Sequence, residues 1–254
     1  MPSALAVFRV IAALTSTAML MSPIPSIYSI WKNKSTGVAS IVPLVSLLAD
    51  AFVDMLYGYV AELYFPVFST YALGSALALI YVSVVYYYTH ERAKAHKSFL
   101  LFGIPLFIVT LYAIIGGFGL IGQNRHQVGN VLGYIVILAT LILYSSPMER
   151  IGLVIKHRSA VFLNVHMVCA GIINNAAWVV YAYLAGNWII FSPSAFCGSM
   201  AVFQLGLYLV FHPSTHPLQS ATPMATEVDL EKGKSPSFVY MPSPGFSTNT
   251  HQQH

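Results

Sequence analysis

Asp50 and Asp54 stand four residues apart inside one apolar stretch, and Asn174 and Trp178 stand four apart inside another. Residues four apart on a helix share a face, so each pair presents both side chains to one side. One shift relates the pairs, because 174−50 and 178−54 both equal 124. Carboxylates and a carboxamide exchange hydrogen bonds with polar groups, and an indole offers a flat apolar face. Such a set suits holding a small polar molecule. It does not suit catalysis. The sequence has no nucleophile–base pair, no phosphate-cradling glycine loop and no metal-ligand spacing among its His and Cys residues. An enzyme reaction, a cofactor and a metal are therefore not expected.

The elements that must carry these residues follow from composition. Of 254 residues, 57% are hydrophobic and 8% are charged, against roughly 25% charged in soluble domains. Mean hydropathy is +0.69. A soluble enzyme is excluded. So is a nucleic-acid partner, because the net charge of +4 is spread over loops and a tail rather than gathered in a stripe. Lipid allows only helices or closed barrels to cross it, and the apolar runs are too long and continuous for barrel strands of about 10 residues. The chain reads as an all-α integral membrane protein partnered by the bilayer. Its seven expected spans are Ala4–Met21, Ser40–Tyr59, Pro66–Tyr88, Phe99–Ile121, Val128–Ser145, Val161–Leu184 and Ile189–Phe211. The first lacks the basic start and small-residue cleavage site of a signal peptide. Arg9, near its outer end, is expected to snorkel into the headgroups.

Lys and Arg crowd alternate connections. Lys32 and Lys34, then Arg92, Lys94 and Lys97, then Arg150, Lys156 and Arg158 lie in the first, third and fifth; the others hold only Arg125. Positive connections face the cytoplasm, which puts the N-terminus outside and the C-terminus inside. From residue 212 a Pro- and Ser/Thr-rich stretch cannot bury a core and reads as a disordered cytoplasmic tail.

The shift of 124 recurs. Ser22-Pro23 returns as Ser146-Pro147, Lys32-Asn33-Lys34-Ser35 as Lys156-His157-Arg158-Ser159, and Tyr57 as Tyr181. The chain divides into a three-helix repeat at 1–90, a linker helix at 91–124, a second three-helix repeat at 125–211 and the tail at 212–254. An odd linker helix keeps both repeats in the same orientation, a transporter plan with its site near the midplane.

Ser22-Pro23, the run Lys-Asn-Lys-Ser-Thr at 32–36, Pro43, Tyr57-Gly58, Ser146-Pro147, Trp178 and Gln204-Leu205 together resemble the SWEET family of sugar transporters. The resemblance spans about residues 5–211. It implies a plasma-membrane carrier that moves mono- or disaccharides down their gradient by alternating access, commonly as a small homo-oligomer. It places Trp178 on a substrate-contacting Trp and Asp54 where a small polar pocket residue is usual. The indole would stack on the C–H face of a sugar ring, while Asp50, Asp54 and Asn174 would bond its hydroxyls. The family's two facing pocket Asn residues fall on Tyr71 (or Ala72, by a second anchor) and on Ser194. Pro23, Pro43 and Pro147 match three of four inner hinge prolines; the fourth position holds Asn164. Tyr57 and Tyr181 resemble an outer gate whose partner, usually Asp, is here Asn187. A Tyr–Asn hydrogen bond would replace the charged one.

Plainer roles compete with each of these. Trp178, Tyr57 and Tyr181 could be membrane-surface aromatics, and the Asp and Asn residues could be polar contacts between helices. A proton-coupled PQ-loop transporter of amino acids or other small solutes would use two intramembrane acids. Against it, Pro23-Ile24 and Pro147-Met148 stand where Pro-Gln pairs belong. A seven-span receptor needs no such repeat.

Overall fold

The computed structural model describes residues 2–36, 40–213 and 215. The tail expected over 212–254 lies, beyond residue 215, outside the described residues. Among the described residues the long elements are all helical: α1 (Pro2–Met21), α2 (Ile24–Asn33), α3 (Val42–Val60), α4 (Ser69–Tyr88), α5 (Arg92–Gly117), α6 (Arg125–Leu143), α7 (Ser145–His157), α8 (Val165–Ala185) and α9 (Trp188–Val210). Seven helical segments are long and apolar enough to cross a bilayer, each close to an expected span.

The main departure concerns two connections. Residues 24–33 and 146–157 were expected as loops but belong to the amphipathic helices α2 and α7, which extend the first and fifth spans. Proline explains the breaks before them. Pro23 has no N–H to offer the Met19 carbonyl, which takes the N–H of Ser22 instead, at 3.1 Å. The chain then restarts as α2, with a proline in its first turn. Both short helices end the same way, on left-handed residues Lys34 (φ 55°) and Arg158 (φ 48°), which are 124 apart.

Helix packing obeys the same shift, which carries α1 onto α6, α3 onto α8 and α4 onto α9. α1 packs on α8 as α6 packs on α3, and α3 packs on α4 as α8 packs on α9. A two-fold relation therefore brings α1 against α8 and α3 against α6 around a shared centre. α5 lies against α3 and exposes most of its apolar surface, as lipid contact requires.

Close approach is specified at Gly58. A Cβ there would stand 2.7 Å from the backbone N of Phe68, in the short π-helical turn Tyr64–Phe68 that leads into α4. On the same side of the molecule Arg125 donates to the carbonyls of Val60 (3.0 Å) and Tyr59 (2.8 Å) at the C-terminal end of α3. It also pairs with Glu62 at 3.4 Å. A cation at a helix C-terminus is favourably placed, and this one ties the start of α6 to the end of α3.

Candidate functional site

A cavity of about 370 Å³ occupies the shared centre. It receives all six residues expected to meet a substrate: Asp50 and Asp54 from α3, Tyr71 from α4, Asn174 and Trp178 from α8, and Ser194 from α9. Of the two positions left open in the third span, Tyr71 lines the cavity and Ala72 does not.

Its walls are held by hydrogen bonds across the two halves. Trp178 Nε1 donates to Ser16 Oγ at 2.6 Å, and Ser16 Oγ donates to Asn174 Oδ1 at 2.8 Å. Thr15 Oγ1 also donates to Asn174 Oδ1, at 2.9 Å. On the other half Thr140 Oγ1 donates to Asp50 Oδ1 at 3.3 Å. Ser16 and Thr140 are 124 apart, as are Asn174 and Asp50, so these are one bond made twice. Spacing arguments passed over Ser16 and Thr140 because single hydroxyls in apolar helices usually bond their own backbone. Applying the shift of 124 to small polar residues would have found both.

The side chains differ in how far they are already engaged. Trp178 is 4% exposed, which excludes a membrane-surface role. Its ring stacks on Tyr71, with centroids 6.0 Å apart and planes at 29°. A ligand stacking on the indole therefore competes with Tyr71. Asn174 and Asp50 do make the helix-to-helix contacts that the plainer reading anticipated. Ser194 donates to Ile190 O at 2.8 Å, within its own helix, which leaves its oxygen lone pairs for the cavity. Asn175, off the face shared by Asn174 and Trp178, also reaches the cavity and donates to Tyr144 Oη at 3.2 Å. Sequence spacing missed it.

One end of the cavity is shut. Tyr57 Oη and the Asn187 carboxamide lie within hydrogen-bond distance of each other, Nδ2 at 3.0 Å and Oδ1 at 3.3 Å. This is the Tyr–Asn bond expected at the outer gate. Asn187 also caps α9, accepting from Ile190 N at 3.1 Å. Tyr57 and Tyr181 are 2% and 1% exposed, so neither is a surface aromatic. Tyr181 packs edge-on against Trp178, with centroids 5.6 Å apart. Arg9 remains exposed, as expected for a snorkelling side chain, but its guanidinium lies beside the Tyr181 hydroxyl.

At the opposite end the lining includes all four expected hinge positions, Pro23, Pro43, Pro147 and Asn164. Two of the three prolines stand inside continuous spans, Pro23 in Ser3–Asn33 and Pro147 in Arg125–His157, beside the breaks that begin α2 and α7, while Pro43 is the second residue of α3. Pro23 and Pro147 cannot donate to the carbonyl four residues back in the preceding helix, and α2 and α7 restart there, whereas Pro43, in the first turn of α3, breaks no bond within its helix. Asn164 caps α8 by accepting from Met167 N at 3.4 Å. The mid-helix prolines among the described residues are Pro105 in α5 and Pro193 in α9. Across the α6–α7 junction, Gln204 Nε2 donates to the Pro147 carbonyl at 3.1 Å. Among the described residues no group of three His, Cys, Asp or Glu side chains is gathered for a metal.

Seven crossing segments around a cavity whose largely apolar lining carries a few polar groups, closed at one end and met at the other by helix starts, define a multi-pass membrane protein with a central chamber. Two stretches, residues 6–93 and 130–216, match the family described as sugar efflux transporters for intercellular exchange, and the chain belongs to that MtN3/SWEET family. The starts of the two stretches are again 124 apart (130−6). The chain is 24% identical over 211 residues to the bidirectional sugar transporter SWEET4 of Oryza sativa subsp. indica, covering 82% of this chain and 80% of that one. It is 23% identical over 233 residues to SWEET9 of Arabidopsis thaliana, also named a bidirectional sugar transporter, covering 89% and 86%. The solved structure of a eukaryotic SWEET transporter shares the fold, with a TM-score of 0.70 at 19% identity over 82% of this chain and 96% of that one.

Proposed function

We propose that the chain is a facilitative, bidirectional carrier of mono- or disaccharides that works by alternating access and catalyses no reaction. The observation that carries this is the cavity itself. An indole and carboxylate, carboxamide and hydroxyl groups meet between two equivalent halves, and at one end the Tyr57–Asn187 contact lies beside the buried Tyr181. Asp54, Trp178, Asn174, Asp50, Tyr71 and Ser194 form the seat for the sugar. Tyr57, Tyr181 and Asn187 form one gate, while Pro23, Pro43, Pro147 and Asn164 mark the helix junctions about which the other end rocks.

The working unit is two three-helix repeats, 1–90 and 125–211, joined by the helix within 91–124. The positive connections favour a plasma-membrane orientation with the N-terminus outside; the shut end is then extracellular and this conformation faces the cytoplasm. The protein works as a small homo-oligomer, for which the apolar outer surface of α5 leaves room.

Purified protein in liposomes should equilibrate labelled glucose or sucrose with no ion gradient. Accumulation only under an imposed acid gradient would replace this reading with proton-coupled transport.

A further inference from the structure

Asp54 is 7% exposed, lines the cavity and, among the described residues, accepts no hydrogen bond and joins no ion pair. Its electrostatic neighbour is Asp50, a like charge. The ion pairs described elsewhere are Lys94–Glu91 and Arg125–Glu62. Arg150 also lines the cavity, but from α7 at the hinge end.

The two-fold frame shows why this acid is left over. On one half Ser16 serves two neighbours, accepting from Trp178 and donating to Asn174. On the other, Thr140 occupies the place of Ser16 and Asp54 that of Trp178. Thr140 has one hydroxyl hydrogen, and Asp50 takes it. An ionised Asp54 cannot donate to the Thr140 oxygen as Trp178 donates to Ser16. A bond made on one side is thus missing on the other, and a carboxylate faces the cavity there. Burying such a group without a counter-charge is costly. A sugar hydroxyl bonds it without neutralising it; an ammonium group does both. Tyr71 lies beside both acids and stacks on Trp178, so the acids adjoin an aromatic wall of the kind that also attracts cations.

We propose that Asp54, with Asp50 behind it, makes this cavity selective for sugars that carry an ammonium group, so that a protonated amino sugar is preferred over its neutral counterpart. The proposal rests on the sugar-transport reading and adds a charge requirement to it. The amine meets Asp54, and the apolar face of the ring takes the Trp178 face that Tyr71 covers in this structure.

The test is inhibition of labelled-glucose exchange in proteoliposomes by unlabelled glucose, glucosamine and N-acetylglucosamine. At about pH 6.5, below the usual range of such amines, glucosamine should inhibit roughly thirtyfold more tightly than glucose, the low end of what losing one partner of a buried charge pair costs. N-acetylglucosamine, whose nitrogen is neutral, should show no such advantage. In Asp54→Asn the ratio of glucosamine to glucose inhibition constants should fall towards one. The pH dependence of the wild-type ratio, narrowing as the amine loses its proton, gives the same information if that variant folds poorly. Equal inhibition by the three sugars, or a preference that survives Asp54→Asn, overturns the proposal while leaving sugar transport intact. Glucose uptake driven by an acid gradient, with no amino-sugar preference, overturns it in favour of a proton site. If neither labelled glucose nor labelled glucosamine moves, the transport reading fails and the proposal falls with it.

Discussion

Ser16 donates its hydroxyl to Asn174 at 2.8 Å across the interface of α1 and α8, and it is the same hydroxyl that receives the Trp178 N–H. The bond recurs between Thr140 and Asp50, 124 residues on from one partner and 124 back from the other. The two contacts stitch the halves together at the depth of the cavity. One leaves an indole fixed in place, the other a carboxylate exposed to the cavity.

Removing the Ser16 hydroxyl strands the buried Trp178 N–H, while Asn174 keeps the Thr15 donor. Ser16→Ala should cost about 1–3 kcal/mol of stability, the penalty for a buried donor or acceptor left without its partner. Thr140→Ala should cost less, because its bond is longer and Asp50 can turn towards the cavity. Thermal unfolding of the purified protein in detergent ranks the two, and equal losses would contradict the asymmetry described.

Trp178→Ala should reduce sugar flux at least roughly tenfold, the effect of losing about 1.4 kcal/mol of binding. Trp178→Phe keeps an aromatic face but forfeits the donor to Ser16, so it should bind better than Trp178→Ala and unfold earlier than wild type. Liposome exchange and melting curves measure the two quantities separately.

The closure between Tyr57 and Asn187 can be separated from the helix cap that Asn187 also provides. Tyr57→Phe removes only the hydroxyl contact and should shift the protein towards opening at that end with little loss of stability. Asn187→Ala should open it similarly and also lose about 1 kcal/mol for the missing cap on α9. Labelling of a cysteine introduced beside Tyr57, followed over time, reads the opening. A Tyr57→Phe variant labelled no faster than wild type would mean that this contact does not hold the end shut.

Gly58→Ala places a methyl group 2.7 Å from the backbone of Phe68. Backbone cannot step aside as a flexible side chain can, so the junction of α3 and the following turn must shift, at about 1–3 kcal/mol. A melting temperature unchanged by this substitution would show that the junction is looser than its geometry.

Much of this was legible in the residues. The seven crossings follow from long apolar runs, and the repeat from Ser22-Pro23, Lys34-Ser35 and Tyr57 meeting their counterparts at a constant distance. The helices α2 and α7 were not legible, because a short segment with prolines at its start and lysines along it looks like a polar connection to any measure of average hydropathy. Proline in the first turn was the available signal. Arg125 read as an isolated loop charge; its work on the Tyr59 and Val60 carbonyls depends on the end of α3 arriving beside it. Pro23 and Pro147 interrupt long spans while Pro43 sits in the first turn of a helix, and only their place relative to helix starts tells whether a hydrogen bond is lost. Tyr71 could not be chosen over Ala72 by spacing alone. That choice depends on how the turn before α4 sets the rotation of the helix.

The frame is duplicated but its contents are not: where one half carries Asp50 and Asp54, the other carries Asn174 and Trp178. A guest on the pseudo-two-fold axis therefore meets an anionic wall on one side and an aromatic one on the other. It has one way round to sit. A carrier that alternates between two openings while keeping that seat would hand its cargo across without turning it over, and would face the same end of the sugar whether it loads from outside or from within.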